Sequence, residues 1–464
     1  MLTRRAALVS GAATLGACAL LPSSGNGGRL SERRIGNREI TLTAREAKVA
    51  LGREPAPLWL YDDWPFPVLR MTHGESLSVT LNNALREHTS IHWHGVRVPN
   101  AMDGVPYLTQ TPVQPGERFT YRFTPPDAGT YFFHPHCNTV EQLGRGLLGA
   151  LIVEDPPEHY GDDVVLILKD WRLDEHGRFL PFLTDKGAAQ AGSFGTLRTV
   201  NGRVQPAIDL AARSNVRLRM INADPTRIAE IGIDGGAARV IAVDGNSVAP
   251  FALETWKLGP GMRLDVIFDG DKARLLDYFA AEPVVLAELS APPVAGRGSP
   301  VYTVPPPDFS DAWHHTLELG AGVAAADLPN PQPIVLPDGR RIELADSLCL
   351  AQGAFWTLDG KSWPGRDHAR LPPPLFTLAR GQKVVLDIAN TTSRSHPIHI
   401  HGHTMTVLSA SVLKRPIHRA DTVLVLPNER VTVGFVADNP GNWMVHCHVV
   451  EHQETGMMGW FRVS

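Results

Sequence analysis

Residues 115–136 read PGERFTYRFTPPDAGTYFFHPH and residues 427–448 read PNERVTVGFVADNPGNWMVHCH, and the two stretches align without a gap. Pro115, Glu117, Arg118, Phe123, Gly129, Tyr131, His134 and His136 fall on Pro427, Glu429, Arg430, Phe435, Gly441, Trp443, His446 and His448. A third, partial copy runs from Pro260-Gly261-Met262-Arg263 to Phe268 and has no histidine pair after it. Self-similarity of this kind marks one structural unit used more than once. Around the copies lie short alternating or β-branched runs, at 76–81, 118–123, 164–168, 216–221, 384–388 and 431–436, separated by Pro and Gly. No long stretch keeps a helical period, so the pattern predicts an all-β protein of repeated sandwiches.

At 464 residues the chain exceeds one hydrophobic core, and about 100–200 residues per domain implies roughly three. The units fall near 35–157, 158–305 and 345–464, with Pro156-Pro157, Pro305-Pro306-Pro307 and the proline-rich stretch 329–337 at the joints. Residues 306–344 read as a connector, although Trp313 implies that part of it packs down. The net charge of −4 comes without a cluster of Lys and Arg, which excludes a nucleic-acid-binding stripe.

Residues 1–34 read as a signal peptide and flexible leader. Arg4 and Arg5 precede an apolar run from Ala6 to Leu21, too short and too weakly flanked to span a membrane, so no transmembrane helix is expected in the mature chain. Thr3-Arg4-Arg5 resembles a twin-arginine export signal, although a generic secretory signal would also accommodate these residues. Leu15-Gly16-Ala17-Cys18 resembles a lipoprotein box, with a small-residue cleavage region as the alternative. The expectation is a periplasmic or extracellular protein, with Cys18 as the candidate lipid anchor. Without Cys18, three cysteines remain, too few for a disulfide framework. Cys137 and Cys349 pair or stay as buried thiols; the residues do not decide.

Ten of the nineteen histidines sit in four short clusters. They are His92-Trp93-His94, His134-Pro135-His136, His396-Pro397-Ile398-His399-Ile400-His401, and His446-Cys447-His448 with His452 and Met457 downstream. On a strand, side chains alternate faces, so His-x-His puts two imidazoles on one side. Four such pairs supply eight imidazoles, more than one metal ion can use. Imidazole alone suits copper, zinc and iron. In His446-Cys447-His448 the thiolate faces away from its neighbours, and Cys447 with His396, His452 and a weak axial Met457 makes the ligand set of a blue-copper centre.

With these motifs the chain resembles the multicopper oxidases, the family of laccases, bacterial copper-efflux oxidases and ascorbate oxidase, over nearly all of its length. The resemblance implies three consecutive cupredoxin-like Greek-key sandwiches and four copper ions. It implies a type 1 copper on His396, Cys447, His452 and Met457, and a type 2 copper on His92 and His399. It also implies a type 3 pair on His94, His134, His136, His401, His446 and His448. The trinuclear group would lie between the first and last units, with the middle one as spacer and part of the substrate-facing surface. A small reducing substrate (a phenol, an aromatic amine or Cu(I)) would give single electrons at an exposed edge of His452. Dioxygen would be reduced to water.

Asp103, in Met102-Asp103-Gly104, matches the family's acidic residue near the trinuclear site and is the candidate proton carrier, against the plain Asp-Gly turn that the dipeptide alone favours. Where many bacterial relatives carry an acid after the last type 1 histidine, this chain has Gln453, which cannot release a proton at neutral pH. Met457 implies a lower type 1 potential than a non-coordinating Leu or Phe would. Three alternatives stand beside the laccase-like reading. A Cu(I) oxidase in copper tolerance often carries a methionine-rich insert, and residues 306–344 contain no methionine. Copper nitrite reductases lack the full eight-histidine cluster. Envelope-assembly homologues that have lost copper also lack ligands, and here every position is filled.

Overall fold

The structure is a computed structural model. It describes residues 28–51, 54–62, 65–155, 159–298, 303–321, 334–335, 341–342, 355–363 and 371–464. Three sandwiches follow one another, and each opens in the same way. A first strand pairs parallel with a second, and the second pairs antiparallel with the strand that follows the Pro-x-x-Arg turn. In the first sandwich these strands are Glu39–Ala50, Leu77–Asn83 and Arg118–Phe123. In the second they are Asp162–Trp171, Val216–Asn222 and Arg263–Asp269. In the third they are Trp313–Ala321, Lys383–Asn390 and Arg430–Val436. Period-two sequence becomes period-two burial. Leu77, Val79 and Leu81 are fully buried, while Ser78, Thr80 and Asn82 between them are half-buried.

Two stretches differ from their sequence reading. Trp313–Ala321 lies in the predicted connector 306–344, yet it is the opening strand of the third sandwich, with Leu317 and Leu319 in its core. The strand is separated in sequence from its partner Lys383–Asn390, so no local pattern announces the pairing. Glu32–Arg34, assigned to the flexible leader, pairs parallel with Val68–Thr72. The pairing is reinforced by Arg70, which binds Glu32 at 2.6 Å. Cys18, Cys349 and the signal residues lie outside the described residues. Cys137 is a buried thiol 3.6 Å from Ser90 Oγ. Among the described residues no helix is long and apolar enough to cross a membrane.

The second sheets carry the histidines. In the first sandwich His92–His94 pairs with Gly129–His134, setting His92 opposite His134. In the third, His396–Ile400 pairs with Gly441–Cys447, setting His399 opposite His446 and Ile398 opposite Cys447. The two aligned stretches of sequence therefore occupy matching places. A fourth core joins the first two sandwiches, where Leu58, Leu60, Phe66 and Phe132 meet Ile167, Trp171 and Ile221.

The three units share a feature absent from the sequence alignment. Asn83, Asn222 and Asn390 each end the second strand of their sandwich and are buried. Each Oδ1 accepts from the backbone N–H two residues on, at Leu85 (3.0 Å), Asp224 (3.1 Å) and Thr392 (2.9 Å). Each Nδ2 donates to carbonyls on both sides of the corner: Asn83 to Glu87 and Val113, Asn222 to Arg227 and Leu258, and Asn390 to Arg394, Val425 and Leu426. This side-chain-built turn reverses the chain and ties it to the residues just before the Pro-x-x-Arg turn. Asn222→Ala is expected to cost about 2–4 kcal/mol, since it strands three buried backbone groups. A calorimetric unfolding midpoint equal to that of the parent would show that the corner carries no load.

Candidate metal centre

The eight histidines of the four His-x-His pairs meet between the first and third sandwiches, and each is at most 2% exposed. Rings from the two sandwiches interleave: His92 stacks on His401 at 3.9 Å between centroids, and His94 on His399 at 3.8 Å. Ring nitrogens then face one another. His92 Nε2 lies 3.4 Å from His399 Nε2, while His446 Nε2 lies 3.3 Å from His136 Nε2 and 3.1 Å from His401 Nε2.

In six of the eight rings the outward nitrogen is engaged. His92 Nδ1 donates to the Asp103 carbonyl (2.9 Å), His399 Nδ1 to the Asp421 carbonyl (3.0 Å), His134 Nδ1 to the Pro135 carbonyl (2.9 Å) and His446 Nδ1 to the Cys447 carbonyl (3.0 Å). His401 Nδ1 meets Asp103 Oδ2 at 2.9 Å. His94 is turned the other way, with Nε2 on Asp421 Oδ1 at 3.1 Å. The inner nitrogens of His94 and His134, and both nitrogens of His448, are buried without a hydrogen-bond partner. Burial, then repulsion by neighbouring rings, pushes His94, His134, His401, His446 and His448 well below the ordinary imidazole range. A buried neutral imidazole with an unpartnered lone pair is the form that binds a metal.

A metal ion fits this imidazole set. Nitrogens about 2.0 Å from one ion at a tetrahedral angle lie about 3.3 Å apart, close to the facing-nitrogen distances found here. Beside the cluster, Cys447 Sγ lies 3.6 Å from His396 Nδ1 and 3.7 Å from His452 Nδ1, and the two nitrogens are 3.1 Å apart. This triangle of one thiol and two imidazoles is the trigonal blue-copper donor set. Burial pushes the Cys447 thiol up, and a coordinated cation reverses that by stabilising the thiolate. Met457 is fully buried in the same core. Backbone hydrogen bonds to Cys447 (3.0 Å) and His452 (2.9 Å) pin it there. His396 is oriented by Thr392 Oγ1 at 2.8 Å, whose own hydrogen points to Asn390 Oδ1. The repeated asparagine corner thus reaches the metal centre.

The structure brings together every histidine and the cysteine singled out from sequence. Asp103 is in the turn its dipeptide predicts, and its carboxylate also touches the cluster. Gly104 is required there: its φ is +82°, and a Cβ would lie 1.9 Å from the Ile91 carbonyl oxygen. One expectation is corrected. His452 has no exposed edge; it is fully buried, and its Nε2 donates to the Gln190 carbonyl at 2.6 Å. Gln453 is buried beside it.

The middle sandwich is more than a spacer. Its Pro-Gly-Met-Arg turn packs on the cluster, where a Cβ on Gly261 would fall 2.7 Å from the His448 ring and 3.0 Å from that of His94. From the same turn Arg263 Nη1 binds Asp421 at 2.7 Å. Asp244 Oδ2 accepts from the backbone N–H groups of Asp421 (3.2 Å) and Thr422 (3.0 Å). Burial alone would raise the Asp421 carboxyl, but Arg263 holds it below the ordinary range; burial raises Asp244. Asp421, Asp244 and Arg263 escaped sequence reasoning, although the partial third repeat had already marked Arg263.

Three sandwiches holding a buried imidazole cluster and a Cys-His-His triangle define a copper-dependent oxidoreductase. Family models described as multicopper oxidase match residues 43–158, 162–287 and 351–464. A multicopper oxidase of Mycobacterium tuberculosis is 32% identical over 454 residues, covering 90% of this chain and 85% of that protein. Laccase-1 of Cryptococcus neoformans is 25% identical, covering 85% of this chain and 75% of that one. The crystal structure of a multicopper oxidase from Pseudomonas thermotolerans superposes with a TM-score of 0.80 at 34% identity, covering 94% of this chain and all of that one. The chain belongs to the multicopper oxidase family, and it is a laccase-like oxidoreductase that uses copper.

Arg263→Ala leaves Asp421 and Asp244 buried beside the cluster without their counter-charge. It is expected to cost about 3–5 kcal/mol and to lower the copper retained per chain after dialysis. A parent-like unfolding midpoint with full copper content would remove Arg263 from the supporting frame.

Proposed function

We propose that the protein carries four copper ions, takes single electrons from a phenol or aromatic amine, and reduces dioxygen to water in the cell envelope. His396, Cys447, His452 and Met457 would hold type 1 copper, His92 and His399 type 2, and His94, His134, His136, His401, His446 and His448 the type 3 pair. Copper so held supplies reversible one-electron steps on the donor side and a four-electron supply to dioxygen. The observation that carries the reading is the position of Cys447. Its sulfur belongs to the triangle with His396 and His452, while its chain neighbours His446 and His448 belong to the imidazole cluster. One residue thus joins the two centres covalently.

The chain's own groups supply the rest. Asp103 Oδ2 fixes His401, and its buried Oδ1 lies 3.3 Å from His92 Nδ1 without a hydrogen bond of good geometry, a place from which a proton can pass to the oxygen being reduced. The Cys447 carbonyl holds the His446 ring, so sulfur and imidazole are oriented by one backbone. Domain limits near 35–157, 158–305 and 345–464 belong to the same proposal, with the first extended back to Glu32 and the last to Trp313 on the strand pairings described above. Twin-arginine export to the periplasm rests on Arg4 and Arg5, with a lipid anchor at Cys18 as a further proposal; the intact mass of the exported protein tells cleavage from lipidation.

Oxygen uptake by the copper-loaded protein, with 2,6-dimethoxyphenol and Cu(I) in parallel, tests the assignment. Faster uptake with the phenol is expected; faster uptake with Cu(I) would move the function to copper tolerance, and no uptake with either would overturn the oxidase reading. In the same assay Asp103→Asn is expected to slow turnover about a hundredfold while the blue absorption is still bleached at the parental rate. Unslowed turnover would remove Asp103 from proton delivery.

A further inference from the structure

The burial of His452 has an identifiable cause. Residues 184–193 of the middle sandwich lie over it and are tied to the third sandwich by one carboxylate. Glu451 Oε1 accepts from the Thr184 backbone N–H (3.2 Å) and from Ser193 Oγ (2.8 Å), and Oε2 accepts from the Ser193 backbone N–H. Between these anchor points the Gln190 carbonyl receives His452 Nε2–H, and the Ala188 carbonyl receives Trp356 Nε1–H at 2.7 Å. The Trp356 ring closes another side, 4.5 Å from His452 and 4.9 Å from His396.

The segment is shaped for this contact. Thr184 caps the helix Asp185–Ala188, its Oγ1 accepting from Gly187 N at 2.9 Å, and the same oxygen lies 2.8 Å from Ser193 Oγ. A Cβ on Gly187 would fall 2.1 Å from Ser193 Oγ and 2.4 Å from Glu451 Oε1. Gly192 has φ +89°, and its Cβ would fall 2.8 Å from Thr226. Hydrogen bonds to a buried carboxylate are among the stronger ones in proteins.

We propose that Glu451 is a positioning residue that staples residues 184–193 across the His396–Cys447–His452 centre, so that a reductant meets the outer face of this segment and not the His452 edge. The inference rests on reading that triangle as the type 1 copper centre. The reaction served is a one-electron oxidation: the donor loses an electron, a phenol also loses its proton to solvent, and dioxygen is the final acceptor. The staple decides how closely a donor can approach. Through Gln190 it also holds the His452 proton on Nε2, leaving Nδ1 toward Cys447.

Glu451→Gln and Gly187→Ala separate the staple from the ligands. The first replaces an acceptor of two backbone donors by an amide. The second alters neither Glu451 nor any ligand in sequence, and sets one methyl against Ser193 Oγ and Glu451 Oε1 at a helical position that otherwise favours alanine. Hydrogen exchange of residues 184–193 is followed in metal-free and copper-loaded protein, together with anaerobic bleaching of the blue absorption by 2,6-dimethoxyphenol and the type 1 potential. In both variants exchange across the segment should accelerate about tenfold, the equivalent of one carboxylate hydrogen bond. Bleaching should accelerate as well, because the opened fraction admits the donor closer to the centre than the outer face of the segment does, and the potential should shift as the Gln190 contact is lost. Parental exchange in both variants, or faster exchange with unchanged bleaching, overturns the proposal. A parent protein that loads copper without blue absorption overturns the reading of the triangle instead, and exchange in the metal-free protein then still decides the staple.

Discussion

Eight imidazoles can share one buried space only if they are neutral, and much of the surrounding structure follows from that constraint. Each charged ring would face both desolvation and the field of its neighbours. Neutral rings need their N–H groups satisfied on the outside, because a buried donor without a partner is costly. The backbone meets this need through the carbonyls of Asp103, Pro135, Asp421 and Cys447. The carboxylates of Asp103 and Asp421 do the same for His401 and His94, and Asp421 in turn requires Arg263 from another sandwich.

This chain of requirements explains why the middle sandwich has lost its histidines but kept its Pro-x-x-Arg turn. The turn brings Gly261 against the His448 and His94 rings, where a side chain would collide, and sends Arg263 beneath Asp421. A domain without ligands thus still shapes the metal centre. It does so twice, since residues 184–193 of the same sandwich also lie over His452.

The ligands were legible because strand alternation translates His-x-His directly into geometry, and because a cysteine between two histidines has few structural uses. The repeat likewise carried the all-β architecture. What the residues did not reveal has a common cause. Trp313–Ala321 pairs with a strand far along the chain, Asp421 acts through partners contributed by other sandwiches, and His452 is covered by a segment from the middle unit. None of these contacts leaves a local pattern. The asparagine corners were missed for a different reason: Asn83, Asn222 and Asn390 are identical in role, but each sits in its own sequence context, so only the hydrogen bonds reveal the kinship.

The division of ligands between the two ends of the chain also sets an order of events during biosynthesis. His92 and His94 are made early, but the rings that interleave with them, His399 and His401, and the closing His446 and His448 emerge last. A polypeptide that stops before the third sandwich therefore holds only four of the eight imidazoles, and the metal group can be completed only when the first and third sandwiches have folded together. Metal content in this protein is thus a record of the first and third sandwiches having met.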